Sequence, residues 1–477
     1  MSDRDTMASA ILINFAVYEG TIGQSCVMPS PTVSSLICNP NDSIQAVKEK
    51  LALLEVFDEK KQKCTLIFEG RVMEKNAWPI ERYGIAKEGD MIQVILRRTK
   101  VEADDSELLK LTKVVRFNPE VLRAPNLDSE CSLEVLSFTA LPIPSVLQDL
   151  AEATCKGLLC NDPTPTNSGG MGGSYFMRDA SSEQFISVFK PKDEEPNAEN
   201  DPRGQVFEFG LKRGIMAGEG YIREAAAFLL DYRRSGDLGS SDAADHFGFS
   251  GVPPTCIVKV FHKNFIHRGG VIKEKIGSLQ LFMKHELSSD DVGSGIIKEF
   301  TSGEVHKIAV LDIRYVNVDR HAGNILLHMQ GGYHRLIPID HGYCFPSSFE
   351  DVTFAWLEWE QSKVPFEPET VDHIKTFDVL KDLALLKDYG WEMPKLNARV
   401  FMTGTTFLKM CVERGLSAHR IGSLMVRHED PNKFEISPIE TIFEDANVAV
   451  SEEMEGNVFI DELKRLIGNF LDGGFIT

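Results

Sequence analysis

Between Val310 and Phe345 the chain reads VLDIRYVNVDRHAGNILLHMQGGYHRLIPIDHGYCF, and the spacing of three polar residues in it restricts the fold more than any other feature. Asp319 and Asn324 stand five residues apart. At that interval a phosphotransfer loop holds the carboxylate that takes an acceptor's proton and the amide that binds Mg²⁺. Sixteen residues beyond Asn324, Asp340 follows the strand-like run Leu336 to Ile339 and precedes His341-Gly342, the place of a second metal-binding carboxylate. In loops of this kind Arg and His usually precede the Asp and Phe usually follows the second carboxylate. Here Arg320 and His321 come after Asp319, and His341 takes the Phe position.

A phosphotransfer site also needs a nucleotide cradle. Ser168-Gly169-Gly170-Met171-Gly172-Gly173-Ser174 is a glycine-rich turn running into a strand at Tyr175-Phe176. Glycines let backbone N–H groups approach phosphate oxygens with no Cβ in the way. Lys190 ends a second strand, Phe185 to Phe189, where a lysine reaches the α- and β-phosphates. Its acidic partner belongs on a helix. Ile222, Ala225, Ala226, Leu229 and Leu230 form a helical apolar stripe flanked by Glu224, the expected partner, with Glu219 as the alternative. The run Lys275 to Met283 is the expected connection between lobes, offering its backbone to adenine around Gln280, Leu281, Phe282 and Met283. Strand signals dominate from Thr154 onward, and helical periodicity follows over Ile374 to Leu386, Arg399 to Arg414 and Val458 to Leu471. The fold class is therefore α+β, with a strand-rich lobe before a helical one.

Residues 11–98 form a separate unit. Two strands (Ile11 to Tyr18, Ser25 to Met28), a helix from Ile44 to Leu54 capped by Asp42-Ser43, and two more strands (Cys64 to Phe68, Met91 to Leu96) follow the β-grasp order. Ser43-Ile44-Gln45-Ala46-Val47-Lys48-Glu49-Lys50-Leu51, Leu66-Ile67-Phe68-Glu69-Gly70-Arg71 and Tyr83-Gly84-Ile85 make this unit resemble ubiquitin over nearly its full length. The resemblance puts Ile67 and Ile95 on the recognition patch, where ubiquitin-binding or proteasome-associated proteins would dock; packing against another domain is the other reading. Arg97-Arg98 runs on into Thr-Lys-Val-Glu, so the di-glycine needed for conjugation is absent and the unit is expected to be a built-in module. Residues 99–153 read as a Pro-punctuated linker, 154–450 as the catalytic domain, and 451–477 as a helical tail packed on it.

The formal charge is −20, yet residues 11–98 hold 11 Lys+Arg and 11 Asp+Glu, so the acidic excess lies elsewhere. With no Lys/Arg-rich block, nucleic acid is an unsuitable partner. Nine cysteines without short paired spacings read as reduced thiols. No secretory signal and no apolar run long enough to span a bilayer is seen, so a cytoplasmic, peripherally membrane-associated protein is expected.

Taken in order, Ser168 to Phe176, Phe189-Lys190-Pro191-Lys192-Asp193-Glu194-Glu195-Pro196, Gly277 to Phe282, Asp319 to Asn324 and Ile339 to Gly342 resemble the phosphatidylinositol 4-kinase family. The plant-type gamma group, which joins ubiquitin-like modules to a type II-like catalytic domain, is the nearer match. The resemblance implies a two-lobed protein-kinase-like domain that phosphorylates phosphatidylinositol at the 4-position. ATP would be cradled by the glycine turn and Lys190, Mg²⁺ (or Mn²⁺) held by Asn324 and Asp340, and the inositol hydroxyl positioned by Asp319. The closely spaced cysteines palmitoylated in animal type II enzymes have no counterpart here. Tyr343 to Pro365 is the expected acceptor segment. Its Glu350, Asp351, Glu358 and Glu360 against Lys363 alone favour an acceptor without extra phosphates. Phe354, Trp356 and Trp359 suit either the membrane interface or the core. A protein serine/threonine kinase recruited through the ubiquitin-like unit is the alternative that the ATP-site residues leave open.

Overall fold

The computed structural model describes residues 11–20, 32–38, 42–53, 62–68, 71–72, 91–98, 113–116, 131–137, 143–166, 172–204, 206–207, 209–232, 247–267, 272–427, 429–430, 433–434, 436–450 and 456–473. The chain divides into two compact units, Met1–Leu109 and Lys110–Thr477.

In the first unit, strands β1 (Ile11–Gly20), β2 (Thr32–Cys38), β3 (Gln62–Phe68), β4 (Arg71–Val72) and β5 (Met91–Arg98) form one sheet in the order β2-β1-β5-β3-β4. β1 and β5 run parallel at its centre, and the other pairs are antiparallel. Helix α1 (Ile44–Leu53) starts where Ser43 Oγ accepts the Ala46 N–H at 3.1 Å. It buries Ile44, Val47 and Leu51, spaced for one helical face. This is the β-grasp, with the second strand at Thr32–Cys38; the expected strand Ser25 to Met28 lies outside the described residues. Register pairs Ile67 with Gln93 and Thr65 with Ile95, so the two isoleucines occupy diagonal positions on neighbouring strands. Their side chains lie outside the described residues.

The second unit begins earlier than the sequence suggested. Strands β6 (Lys113–Arg116) and β7 (Cys131–Ser137) and helix α2 (Ser145–Cys160) fall in the expected linker, yet they belong to the fold. β6 and β7 open a seven-stranded antiparallel sheet, order β6-β7-β11-β12-β10-β9-β8, completed by β8 (Thr164–Pro165), β9 (Tyr175–Arg178), β10 (Phe185–Pro191), β11 (Thr255–His262) and β12 (Lys275–Leu281). The reason is burial: β7 pairs with β11, hiding Leu133 and Val135, while α2 buries Leu147, Leu150, Cys155 and Leu158 in the same core.

On the other side of this core, α3 (Gly220–Tyr232) packs on β11 and β12. The hairpin β14 (Ile325–Gln330) and β15 (Tyr333–Pro338), flanked by β13 (Leu287–Ser288), leads into a helical half. There α4 (Ser302–Tyr315), α5 (Lys395–Glu413), α6 (Pro438–Ala449) and α7 (Gly456–Asp472) pack together. α7 buries Phe459, Leu463, Ile467 and Leu471, spaced every four residues. The helix expected over Ile374 to Leu386 is instead two, Pro368–Lys375 and Val379–Asp388, because Asp378 caps the second by accepting the Lys381 N–H at 3.2 Å. Among the described residues no helix is long and apolar enough to cross a membrane.

Candidate active site

Lys190 lies on β10 opposite Ser278 of β12, and the next pair is Pro191 with Gly277. A Cβ on Gly277 would sit 2.2 Å from the Lys190 carbonyl oxygen, so glycine is what lets the two strands close at this point. The Lys190 ammonium donates to Glu224 Oε1 at 2.5 Å and to Asp340 Oδ1 at 3.1 Å. Glu224 projects from α3, which is fixed at its start by Glu195: that carboxylate accepts the N–H groups of Gly220 and Tyr221, both at 2.8 Å. Glu219, the alternative partner, pairs with Arg223 at 2.7 Å.

Of the glycine turn, Ser168, Gly169, Gly170 and Met171 lie outside the described residues, whereas Gly172, Gly173 and Ser174 run into β9. The Gly173 N–H donates to the Glu194 carbonyl at 2.8 Å, and a Cβ there would come 2.1 Å from Glu194 Oε2. Glu194 is wholly buried. It accepts from Tyr175 Oη at 2.8 Å and pairs with Lys275 at 2.7 Å, while Lys275, also buried, reaches Asp193 at 2.6 Å. This ionic clasp beneath the turn was not anticipated. Its signal was present, since a buried lysine opening a strand needs buried acids and Lys192-Asp193-Glu194-Glu195 offers them.

The expected adenine segment divides by role. The Gln280 side chain turns inward, donating to Thr255 Oγ1 at 3.0 Å and reaching Glu224 Oε2 at 3.5 Å. The Leu281 and Phe282 N–H groups are taken by the carbonyls of Pro254 (2.8 Å) and Ile186 (2.9 Å). Met283 follows the strand end, with its carbonyl accepting from His285 at 2.7 Å.

The catalytic loop and the Asp340 segment are joined by one guanidinium. Arg320 donates through Nε to both Asp312 oxygens (2.9 and 3.0 Å) and through Nη1 to the carbonyls of Asn324 and Ile339 (2.7 Å each). Asp312, on α4, also accepts from Trp356 Nε1 at 2.9 Å and Asn317 Nδ2 at 3.0 Å. An Arg directly after Asp319 is thus the strut between the two loops, which gives the Asp-Arg-His order a structural reason. It also settles the tryptophans: Trp356 is fully buried and Trp359 and Phe354 nearly so, and they sit in the core, not at a membrane interface. Asn317 Oδ1 accepts the Asp319 N–H at 2.9 Å. Asn324, itself buried, donates through Nδ2 to the Asp319 carbonyl at 3.1 Å. Asp340 has φ +58°, a left-handed conformation costly for a non-glycine residue and found at strained functional positions. His341 is buried with Nδ1 3.6 Å from Glu224 Oε2, and among the described residues neither ring nitrogen has a hydrogen-bond partner.

Burial opposes the Lys190 charge, but Asp340 and Glu224 outweigh it and hold the ammonium above the usual lysine range. Glu224 is held well below the carboxylate range despite its burial, by Lys190 and His341. Burial raises Asp319, and Lys212, 3.1 Å away, offsets part of the rise. Lys212 had no signal in the sequence, being over a hundred residues from its partner.

One cation clamped between a helix carboxylate and a left-handed aspartate, beside an Asp-Asn loop, is the constellation of a phosphotransferase with a kinase-like two-lobed fold. Residues 170–421, more than half the chain, match the family model Phosphatidylinositol 3- and 4-kinase. Phosphatidylinositol 4-kinase gamma 3 of Arabidopsis thaliana is 43% identical, covering 75% of this chain and 63% of that protein. Phosphatidylinositol 4-kinase gamma 4 of Oryza sativa is 37% identical, covering 85% and 71%. The chain belongs to the phosphatidylinositol 3- and 4-kinase family. It spans 63% and 57% of the lengths of the Arabidopsis gamma 3 and gamma 4 proteins. Among solved structures, Caldiarchaeum subterraneum ubiquitin is similar at 18% identity and TM-score 0.15, covering 20% of this chain and all of that one.

Proposed function

We propose that this protein transfers the γ-phosphoryl group of ATP to the 4-hydroxyl of phosphatidylinositol. One observation carries the reading: Lys190, Glu224 and Asp340, 34 and 150 residues apart in the chain, meet at a single ammonium. Family membership favours a lipid acceptor over a protein one.

Lys190, oriented by Glu224, binds the α- and β-phosphates, and the glycine turn offers N–H groups to the triphosphate. Asp319 takes the proton of the ring hydroxyl as its oxygen bonds to the γ-phosphorus and the bond to the β–γ bridging oxygen breaks, releasing ADP. An amide oxygen and a carboxylate are the hard donors Mg²⁺ selects, so Asn324 and Asp340 fit that ion by their chemistry, and it would neutralise charge on the transferring phosphate. Arg320 keeps these groups in one geometry.

Glu350 and Asp351 are engaged by Arg213, and Lys363 by Glu360 at 3.0 Å, so the charge count of the 343–365 segment does not describe the acceptor pocket. Among the described residues the lysine or arginine within ion-pair reach of Asp319 is Lys212, matched to a singly charged headgroup. Phosphatidylinositol in a membrane contacted peripherally is accordingly the substrate. The ubiquitin-like unit binds ubiquitin-pathway proteins through Ile67 and Ile95.

Purified protein and an Asp319→Asn control, given labelled ATP, phosphatidylinositol vesicles and a generic protein substrate, test the reading. Asp319-dependent label in lipid is expected; label in protein alone sinks it.

A further inference from the structure

We propose that Lys212 is a substrate-positioning residue: it rests on the Asp319 carboxylate and crosses to the phosphodiester of the lipid headgroup when the inositol ring enters, freeing the carboxylate for the ring hydroxyl. The inference rests on the lipid-kinase reading above.

Lys212 Nζ lies 3.1 Å from Asp319 Oδ1, and among the described residues no other cation is within ion-pair distance of that carboxylate. A carboxylate tied to an ammonium is a poorer proton acceptor, so the lysine must leave before Asp319 can act as a base. The backbone under Lys212 is fixed. Phe209 bridges to Met216, and the Gly210 N–H donates to the Ile215 carbonyl at 2.9 Å. The turn is pinned to the acceptor segment, where the Arg213 N–H donates to Asp351 Oδ2 at 2.7 Å and the Ser347 N–H to the Gly214 carbonyl at 2.9 Å. Arg213 also pairs with Glu350. Only the flexible four-carbon stem of Lys212 is left to move.

The acceptor's shape matches that movement. In phosphatidylinositol the phosphodiester and the 4-hydroxyl stand at opposite ends of a six-membered ring. With the hydroxyl on Asp319, the phosphodiester lies one ring width away, within the swing of a lysine that starts on the same carboxylate. The loop also exposes Val206 (59%), Phe209 (38%) and Leu211 (40%), an apolar flank suited to the bilayer that presents the lipid rather than to a free anion.

The test uses the full-length protein, Lys212→Ala and Lys212→Arg. Initial rates are measured with phosphatidylinositol in neutral vesicles and with glycerophosphoinositol, which keeps the phosphodiester but lacks acyl chains. Lys212→Ala should raise KM for both acceptors about tenfold or more, the loss of one charge-assisted hydrogen bond, and leave the KM for ATP unchanged. Lys212→Arg should restore most of the acceptor KM. Unchanged acceptor KM overturns the proposal, as does a fall in thermal stability and kcat with KM intact. Inorganic phosphate competing as well as glycerophosphoinositol assigns the lysine to a free anion and also overturns it. If the parent protein phosphorylates no lipid, the lipid reading itself fails. The handover falls with it, whereas an unchanged acceptor KM in a parent protein that does phosphorylate the lipid refutes the handover alone.

Discussion

Arg320 makes four hydrogen bonds that a lysine cannot reproduce, since only a planar guanidinium meets a carboxylate and two carbonyls from one position. Removing one partner from its fully buried pair with Asp312 costs on the order of 3–5 kcal/mol. Arg320→Lys should therefore lower the melting temperature and cut kcat at least a hundredfold; a variant with native kcat would show that the strut is dispensable. Asp319 works as a base only when ionised. Burial raises its pKa, so kcat/KM should climb with pH through a midpoint above the ordinary aspartate range of about 4. Lys190, held above the usual lysine range, adds no basic limb near neutrality. A pH–rate profile flat from pH 4 upward would contradict this assignment. Asp319, Asn324 and Asp340 were legible because loop spacing is a local property. Arg320 was visible as an odd residue order whose purpose needed Asp312 and Ile339 beside it. Lys212 and the buried Lys275 clasp depend on partners far along the chain, which no spacing rule reaches.

At the scale of elements, the approach of β10 to β12 hangs on a missing side chain. Gly277→Ala forces a methyl group against the Lys190 carbonyl and should destabilise the sheet by about 1–3 kcal/mol while displacing Lys190, so thermal stability and ATP binding should both fall. Gly173→Ala meets the buried Glu194 carboxylate instead, at the edge of the turn, and should strain its clasp with Lys275 as well as raise the KM for ATP. Calorimetry and nucleotide titration of the two variants separate these effects; equal behaviour would deny the turn its separate role. The elements were read with uneven success. α3 and β10 carry strong apolar periodicity and were placed from it. β6 and β7 are short strands inside a Pro-punctuated stretch that pair with each other, and the pairing of β7 with β11 bridges more than a hundred residues, so the segment looked like a linker until its burial was seen.

At the scale of the molecule, the chain is two units, and the second starts near Lys110. A protein of residues 110–477 should give one cooperative thermal transition. One starting at Thr154 loses β6, β7 and most of α2, uncovers the β11 edge, and should aggregate. Equal solubility and melting of the two would restore the linker reading. The central claim is that the site around Lys190, Asp319, Asn324 and Asp340 phosphorylates one particular hydroxyl of an inositol lipid. The most direct measurement is the regiochemistry of the product: label phosphatidylinositol with the purified protein, remove the acyl chains and resolve the phosphoinositol isomers by chromatography. A single 4-phosphate that disappears with Asp319→Asn is predicted; label at another ring position, or none in lipid, contradicts the account.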